Sequence, residues 1–378
     1  MSNGTGSVCG FGIEEEYLLV DLDSGQVLAR PSRAVTRRCQ ETMGEHFAEE
    51  MFCSQIEVAS PVFGNLHEAR SFFTQSRHTL RNVLLDEGVG LYCAASHPGA
   101  QWRRQHARNL PHYRQVFDDY QIVARRSLLS GLHIHVGVPH GIDRMQLINQ
   151  LLYWLPLFLA LSTSSPLWSG LVTGYRSYRR VVCAEWPHMG MPEPLDNWHD
   201  YQRYRRLLQD VGGLAADGDF WWAIRPSRRF PTVELRICDA CPRLEDGLAI
   251  AGLFRHLVEQ TLLLSQRWQP ISNELRWITQ ENYWRAYRYG CKGTFIGVQD
   301  RHPVSAEGWL AQLQSLMPPD TQDAEQAFYQ ARRILSQGTS AERQLAMLAG
   351  ALEQGWEQRL ALKAVVEQVL GEVCQSAG

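Results

Sequence analysis

Four short segments alternate apolar and polar residues with a period of two, and this alternation limits the possible fold more than any other feature. Each segment is a predicted β-strand whose polar residues share one face of a sheet. The segments and the polar residues that they align are 12–20 with Glu14 and Glu16, 55–59 with Gln55 and Glu57, 132–136 with His133 and His135, and 232–237 with Glu234 and Arg236.

The polar faces of these strands carry Glu, His, Gln and Arg almost exclusively. An ordinary amphipathic sheet with a wet outer face is the alternative for any single strand. As a set, however, the carboxylates would repel one another by about 4 kcal/mol per pair at 4 Å and an effective dielectric constant of about 20. Such a cluster needs cations, and carboxylates combined with imidazole suit Mg²⁺ or Mn²⁺. The sequence therefore predicts a divalent-metal site on the sheet.

Arginines accompany the last strand, since Arg225, Arg228, Arg229 and Arg236 fall within twelve residues. A solvated basic loop is the alternative for Arg228 and Arg229, whereas Arg236 shares a strand face with a glutamate. Metals beside guanidinium groups are suited to hold a polyphosphate and to stabilise charge during phosphoryl transfer. The chain has no GxxxxGK[ST] or GxGxxG motif, which is consistent with a nucleotide bound on a sheet.

Helical patterns occupy the rest of the chain. Asn65 and Glu68 predict the start of a helix that ends near Gly88, and further helical stretches cover about 144–161 and 244–268. From about residue 281 the chain is predicted to be helical, with a capping box at 339–342. We find no linker, so residues 1–378 are predicted to form a single domain.

Composition limits the partners and the compartment. The net charge of −3 does not indicate a nucleic acid or a membrane as the main partner. Nine cysteines without framework spacing indicate free thiols and a reducing compartment. The first ten residues lack a signal pattern, and the apolar run 151–161 is well short of the roughly 20 residues that span a bilayer. We therefore expect a cytoplasmic protein.

Several ordered motifs resemble those of the glutamate–cysteine ligase type 2 family, the YbdK-type carboxylate–amine ligases, along nearly the whole chain. More distantly, they are similar to those of glutamine synthetase. The motifs are GIEEEY at 12–17, SQIEVASP at 54–61, SGLHIHVGV at 130–138, RPS at 225–227, TVELRICD at 232–239, LED at 244–246 and ENYWRA at 281–286.

The resemblance implies an α+β fold with a curved, largely antiparallel sheet that forms an active-site funnel, with helices behind it. It implies ATP and Mg²⁺ or Mn²⁺ as cofactors, an acid and an amine as substrates, an acyl phosphate as the intermediate, and a homodimer. Glu15 points to the opposite face and is not expected to be a ligand, while His135 is expected to orient a neighbour or contact substrate. The implied site residues are Glu14, Glu16, Glu57, His133 and Glu234 for metal, Arg225 and Arg236 for catalysis, and Arg225, Arg228 and Arg285 for nucleotide.

Three alternatives stay open at this point. The acid and the amine can differ from glutamate and cysteine. The pair His133 and His135 also resembles the zinc pair of metal-dependent amide hydrolases, although those enzymes place it near their first strand. The chain can also be a non-catalytic descendant that binds nucleotide.

Overall fold

The computed structural model describes residues 9–215, 218–297 and 301–374. The expectation that the first ten residues carry no signal sequence concerns a segment of which residues 1–8 lie outside these ranges. The strands are β1 (Phe11–Asp21), β2 (Phe47–Glu49), β3 (Gln55–Ala59), β4 (Val89–Tyr92), β5 (Leu132–Gly137), β6 (Leu167–Trp168), β7 (Leu171–Val172), β8 (Met189–Gly190), β9 (Trp221–Trp222), β10 (Ile224–Pro226), β11 (Thr232–Leu235), β12 (Thr294–Ile296) and β13 (Pro303–Ser305). The helices are α1 (Arg33–Met43), α2 (Leu66–Leu85), α3 (Pro111–Arg126), α4 (Arg144–Leu151), α5 (Leu155–Ser162), α6 (Tyr178–Cys183), α7 (Trp198–Asp210), α8 (Leu244–Leu263), α9 (Asn273–Tyr289), α10 (Ala306–Leu316), α11 (Gln322–Gln337), α12 (Ser340–Glu353) and α13 (Gln358–Cys374).

One antiparallel sheet holds seven of the described strands. Its order is β10-β11-β5-β1-β3-β2, and β4 pairs with the last four residues of β1. The four predicted strands correspond to β1, β3, β5 and β11, so the sequence pattern is confirmed. Arg236 lies one residue beyond the end of β11.

The two faces of β1 have opposite chemistry, as the alternation predicts. Phe11 and Ile13 are buried in the main core, together with Ile134 of β5 and Val233 of β11. Helices α2 and α8 cover this face. On the opposite face, Glu14 and Glu16 are followed by Leu18 and Val20, which are buried in a second core cluster. The predicted arrangement of helices behind a sheet is confirmed.

Glu15 is the polar exception on the covered face of β1. Its carboxylate accepts hydrogen bonds from Arg77 Nε and Nη2 of α2, at 3.0 and 2.7 Å, and one from the Tyr17 hydroxyl. Both charged side chains are buried. Glu15 is therefore an anchor between the sheet and α2, on the face opposite to Glu14 and Glu16.

Local capping signals set several helix boundaries. The Asn65 side chain accepts a hydrogen bond from the Glu68 main-chain N–H, and α2 begins at the next residue after Asn65. Thr339 and Glu342 form a capping box before α12. Towards the C-terminus, α9 already begins at Asn273, and the β12–β13 hairpin interrupts the helices. The helical segment is thus earlier and less continuous than predicted, and the single-domain organisation stays a prediction.

The helical stretch Arg144–Ser162 has 19 residues and a mean hydropathy of 1.2, so it is long and apolar enough to cross a membrane. Of its most apolar window, 89% is buried inside the protein. The stretch comprises α4, a short 3₁₀ turn and α5, which pack against α8 and α9. It has the burial of a core helix, in agreement with the sequence-based interpretation.

Candidate active site

Strand register brings the predicted polar residues together on one face of the sheet. Residues directly opposite each other in antiparallel strands have Cβ atoms about 4.5–5.5 Å apart. The opposed pairs are Glu16 with Glu57, Glu14 with His133, His135 with Glu234, and Glu234 with Arg225. Segments more than 200 residues apart in sequence thus form one continuous polar surface.

Three overlapping groups of side chains on this surface have the geometry of metal sites, because their ligand atoms lie within 4.8 Å of one another. The groups among the described residues are Glu14, Glu57 and His133; Glu14, His135 and Glu234; and Glu16, Glu50 and Glu57. All five predicted metal ligands occur in them. The structure adds His135, which the sequence analysis gave another role, and Glu50, which it missed.

Glu50 follows directly after β2, in a segment whose residues do not alternate. Its only sequence signal is the acidic pair Glu49-Glu50. Glu49 accepts a hydrogen bond from Arg108 Nη1 at 2.6 Å, whereas Glu50 joins Glu16 and Glu57. Two adjacent glutamates therefore have different environments, which sequence spacing alone does not distinguish.

The imidazole atoms test whether this surface fits a cation. His133 Nδ1 lies 3.3 Å from Glu14 Oε2, and His135 Nδ1 lies 3.0 Å from Thr232 Oγ1. The Nε2 atoms of both rings are buried and make no well-aligned hydrogen bond, but each faces a carboxylate: His135 Nε2 lies 3.3 Å from Glu14 Oε1, and His133 Nε2 lies 3.7 Å from Glu16 Oε1. Because buried ring nitrogens are normally hydrogen-bonded, and because oxygen-rich donors with imidazole suit Mg²⁺ or Mn²⁺, the residues fit a divalent cation.

The carboxylates lie too close together for all of them to carry charge without a cation. Burial, together with the charges of Glu14, Glu50 and Glu16, raises the pKa of Glu57 well above its usual range. Burial and the charge of Glu16 raise the pKa of Glu50 to about 8. Burial also acts to raise the pKa of Glu14, but the adjacent imidazole groups of His133 and His135 outweigh it and lower that pKa. Ionisation of all the carboxylates in the cluster is therefore coupled to the binding of cations.

Glu234 has its own cationic partners. Arg225 donates from Nε to Glu234 Oε2 at 2.6 Å and from Nη2 to Oε1 at 3.2 Å, and Arg236 Nη1 also donates to Oε1. Burial alone would raise the pKa of Glu234, but Arg236 and Arg225 lower it to about 2. Glu234 is therefore ionised at neutral pH, with both predicted catalytic arginines against it.

Arg228 and Arg285, the other two predicted nucleotide-binding arginines, lie in different environments. Arg228 is exposed on the loop between β10 and β11, next to the strands that carry Arg225, and donates to the Gly218 carbonyl oxygen at 2.9 Å. Arg285 donates to Glu281 Oε1 at 2.7 Å and to the Thr294 carbonyl oxygen at 2.8 Å. These contacts lie on α9 and β12, and they do not bring Arg285 to the carboxylates.

A small cavity of about 200 Å³ opens beside the carboxylates, at the Glu16 and Glu50 end. His133 and Arg236 also line it. A substrate group in this cavity can therefore reach both the metal-site residues and a guanidinium group.

The sequence as a whole decides the family. Residues 10–368 match the sequence model of glutamate–cysteine ligase family 2. The chain belongs to this family. Within it, the chain is 69% identical over 368 residues to a Pseudomonas entomophila protein named "Putative glutamate–cysteine ligase 2", covering 97% of both chains. A Pseudomonas putida protein of the same name is 62% identical over 358 residues, covering 95% of this chain and 97% of the relative.

Solved ligase structures share the fold of this glutamate–cysteine ligase family member. A bifunctional glutathione synthetase from Pasteurella multocida matches 97% of this chain and 52% of its own length, with a TM-score of 0.73 and 15% identity. A Francisella tularensis glutamate–cysteine ligase in complex with AMP matches 97% of this chain and 89% of its own, with a TM-score of 0.69 and 12% identity. The predicted α+β fold class, a largely antiparallel sheet with helices behind it, is confirmed.

Proposed function

We propose that this protein is an ATP-dependent carboxylate–amine ligase that forms an amide through an acyl phosphate and releases ADP. One observation carries the proposal. Three adjoining groups of Glu and His side chains share Glu14 or Glu57, and Arg225 and Arg236 contact Glu234 at the border of these groups. Family membership supports the same reaction class.

The chain's own residues divide the work between cation binding and alignment. Divalent metal would be held by Glu14, Glu16, Glu50, Glu57 and Glu234 with the two histidines, and when bound it would neutralise the charge of a polyphosphate. Arg236 donates to Glu234 and also lies 3.4 Å from His133 Nδ1. We propose that Arg236 also contacts the two anionic reactants and holds them near each other, which would favour reaction through alignment and charge stabilisation.

The proposed reaction has two steps. A carboxylate oxygen of the acid forms a bond to the γ-phosphorus of ATP while the bond from that phosphorus to the ADP oxygen breaks. The amine nitrogen then attacks the acyl carbon, loses a proton and displaces inorganic phosphate. No covalent bond to the enzyme is needed, so the site's residues act by binding and orientation.

Substrates, compartment and assembly are further parts of the proposal. The names of the relatives suggest glutamate and cysteine, hence γ-glutamylcysteine formation, as a first pair to test. All nine cysteines are free thiols, which supports a cytoplasmic location. We also propose a homodimer, on the basis of the family resemblance.

Oxygen transfer tests the proposed reaction. An acid labelled with ¹⁸O in its carboxylate should pass one label to the released phosphate, with ADP as the nucleotide product. Mass spectrometry of phosphate and nucleotide measures both. Unlabelled phosphate, or AMP with pyrophosphate, would contradict the acyl-phosphate mechanism, and ATP-independent cleavage of an amide would favour the hydrolase.

A matched pair of variants shows whether the label passes through this site. Glu234→Gln removes a buried carboxylate between two arginines, whereas Glu185→Gln changes a carboxylate that pairs with Arg126 at the surface. Glu234→Gln should abolish labelled phosphate, and Glu185→Gln should not change it. Equal release of labelled phosphate by both variants would show that the reaction takes place at another site.

A further inference from the structure

Arg179 is a second guanidinium group at the cavity beside the carboxylates. It lines this cavity together with Arg236 and the carboxylates of Glu16 and Glu50. Its Nη1 and Nη2 atoms donate to the main-chain carbonyl oxygens of Ile237 and Arg236, each at 3.3 Å. Because both acceptors are neutral and a guanidinium group stays protonated, these bonds orient the group without cancelling its charge. Arg179 therefore brings a positive charge to the cavity wall.

Asp239 is the acidic partner of Arg179. Its Oδ1 atom lies 3.9 Å from Arg179 Nη1, and its side chain is fully buried and is not among the residues that line the cavity. Burial raises the pKa of the Asp239 carboxyl, and the charge of Arg179 acts against that rise. The neighbouring Arg180 donates instead from Nε to the Tyr283 hydroxyl at 2.8 Å. Because 3.9 Å is longer than a hydrogen bond, Asp239 attracts the Arg179 guanidinium group without occupying its N–H donors.

Serine side chains join Asp239 to the segment that carries Arg179. The Ser177 hydroxyl donates to Asp239 Oδ1 at 2.7 Å, and the Ser165 hydroxyl donates to Oδ2 at 2.8 Å. Ser165 Oγ in turn accepts from the Arg179 main-chain N–H at 3.1 Å, and the Ser164 N–H donates to Oδ2 at 3.0 Å. All of these residues are buried, so water does not compete for the bonds. Asp239 is therefore linked to the main chain of Arg179 as well as to its charge.

A glycine limits the space on the other side of the Arg179 guanidinium group. A Cβ atom at Gly131 would collide with Arg179 Nη2 and would lie 2.8 Å from His133 Nε2. Gly131 also forms an isolated antiparallel bridge with Asp239. The residue that leaves room for the guanidinium group is thus paired with the residue that attracts it. The position of this group is therefore set from both sides.

We infer that Asp239 is a positioning residue, which through Ser165 and Ser177 holds the Arg179 guanidinium group in the orientation that meets anionic reactants in the cavity. The inference rests on the proposed ligase function. Asp239 does not line the cavity, so its effect on the reaction passes through Arg179. Because a misplacement of about 1 Å can cost about 10²-fold in rate, a residue behind the cavity wall can control turnover.

A double-mutant cycle tests whether Asp239 acts through Arg179. The assay is the release of ADP with glutamate, cysteine, ATP and Mn²⁺. Arg179→Lys should lower kcat by about 10²-fold, and Asp239→Asn, which removes the charge at constant size, should lower it by about tenfold or more. In the Arg179→Lys background, Asp239→Asn should have little further effect, because the interaction is already lost. Losses that multiply in the double variant would overturn the inference.

Asp246→Asn is the matched control. Asp246 is also buried, its Oδ2 atom lies 3.7 Å from Arg343 Nη2, and Gln330 Nε2 donates to its Oδ1 at 3.1 Å. Neither Asp246 nor Arg343 lines the cavity. Asp246→Asn should therefore leave kcat unchanged even where it lowers stability. A loss of kcat as large as that of Asp239→Asn would show a general effect of removing a buried carboxylate, and would overturn the inference.

Ser177→Ala serves if Asp239→Asn fails to fold. It removes a single hydrogen bond to Asp239 and leaves both charges in place. We expect kcat to fall by about two- to tenfold, the scale of one hydrogen bond, and to fall no further when Ser177→Ala is added to Arg179→Lys. An unchanged kcat in the folded Ser177→Ala protein would contradict the role of Asp239.

Crystal structures of the variants separate this inference from the proposed function. If no acid and amine yield ADP with the unmodified protein, the ligase proposal fails, and the position of Arg179 then decides the role of Asp239. Its guanidinium group should move by about 1 Å or more in Asp239→Asn and should stay in place in Asp246→Asn. An unmoved Arg179 in Asp239→Asn would overturn the inference whether or not the protein is active.

Discussion

The buried pair of Arg77 and Glu15 gives the most direct test of how the sheet is held in place. Arg77 donates two hydrogen bonds to Glu15 and one each to the carbonyl oxygens of Pro242 and Cys241, at 2.6 and 3.0 Å. Arg77→Met would leave Glu15 with the Tyr17 hydroxyl. It would also remove the Arg77 bonds to the two carbonyls. We expect a loss of about 3–5 kcal/mol in the free energy of unfolding, typical of a buried charge whose partner is removed.

Urea denaturation followed by circular dichroism measures this loss. Arg126→Met is the control, because Arg126 and Glu185 form an ion pair that is 27% and 31% exposed, and such pairs contribute about 0–1 kcal/mol. The double variant Glu15→Gln with Arg77→Met should recover part of the stability, since it no longer buries an unpaired charge. A loss in Arg77→Met no larger than that in the control would refute the assignment of Glu15 as an anchor of β1.

Three further predictions concern the site and the buried histidine. Glu50→Gln, Glu57→Gln and Glu234→Gln should each weaken Mn²⁺ binding in calorimetric titrations without unfolding the protein; unchanged affinity in all three would contradict the metal assignment. Arg236→Lys should lower kcat by about 10²–10³-fold, because an ammonium group cannot reproduce the planar guanidinium fork. A kcat close to that of the unmodified protein would show that Arg236 has only a structural role. Burial lowers the pKa of His97 from 6.5 to about 4, and both ring nitrogens are hydrogen-bonded to the main chain. As the pH falls, the unfolded state binds the additional proton before the folded state does, so the contribution of His97 to the free energy of unfolding should be fully present above about pH 6.5. Between pH 7.5 and 5, the free energy of unfolding should fall by about 2 kcal/mol more in the unmodified protein than in His97→Gln. Parallel urea midpoints in the two proteins would show that His97 does not titrate in this way.

Local sequence was sufficient to predict those structural features that depend on neighbouring residues. Alternation with a period of two is a property of one strand, so it correctly placed Glu14 and Glu16 on one face of β1 and Glu15 on the other. Helix caps likewise depend on residues three positions apart, and Asn65 and Thr339 were found from their spacing. In both cases the physical interaction lies within the segment that shows the pattern.

Tertiary structure decided which residues from different segments meet. The register that sets Glu16 opposite Glu57 depends on burying the apolar face of every strand against helices that come later in the chain. Glu50 reaches the cluster from beyond a strand end, where no periodic pattern applies. Arg285, which a short family motif suggested as a nucleotide contact, donates in the structure to Glu281 and to the Thr294 carbonyl oxygen, so its role towards nucleotide stays a prediction.

The cavity beside the carboxylates shows the same dependence on tertiary structure most clearly. Val116, Trp186 and Trp221 lie on α3, after α6 and on β9, and none of these segments shows a pattern that relates it to the others. Their contact follows from the packing of complete elements around the sheet. The sequence alone determined the strands and the chemistry that they carry, whereas the shape and polarity of the cavity beside the carboxylates arose only from long-range packing, since side chains more than 100 residues apart line it.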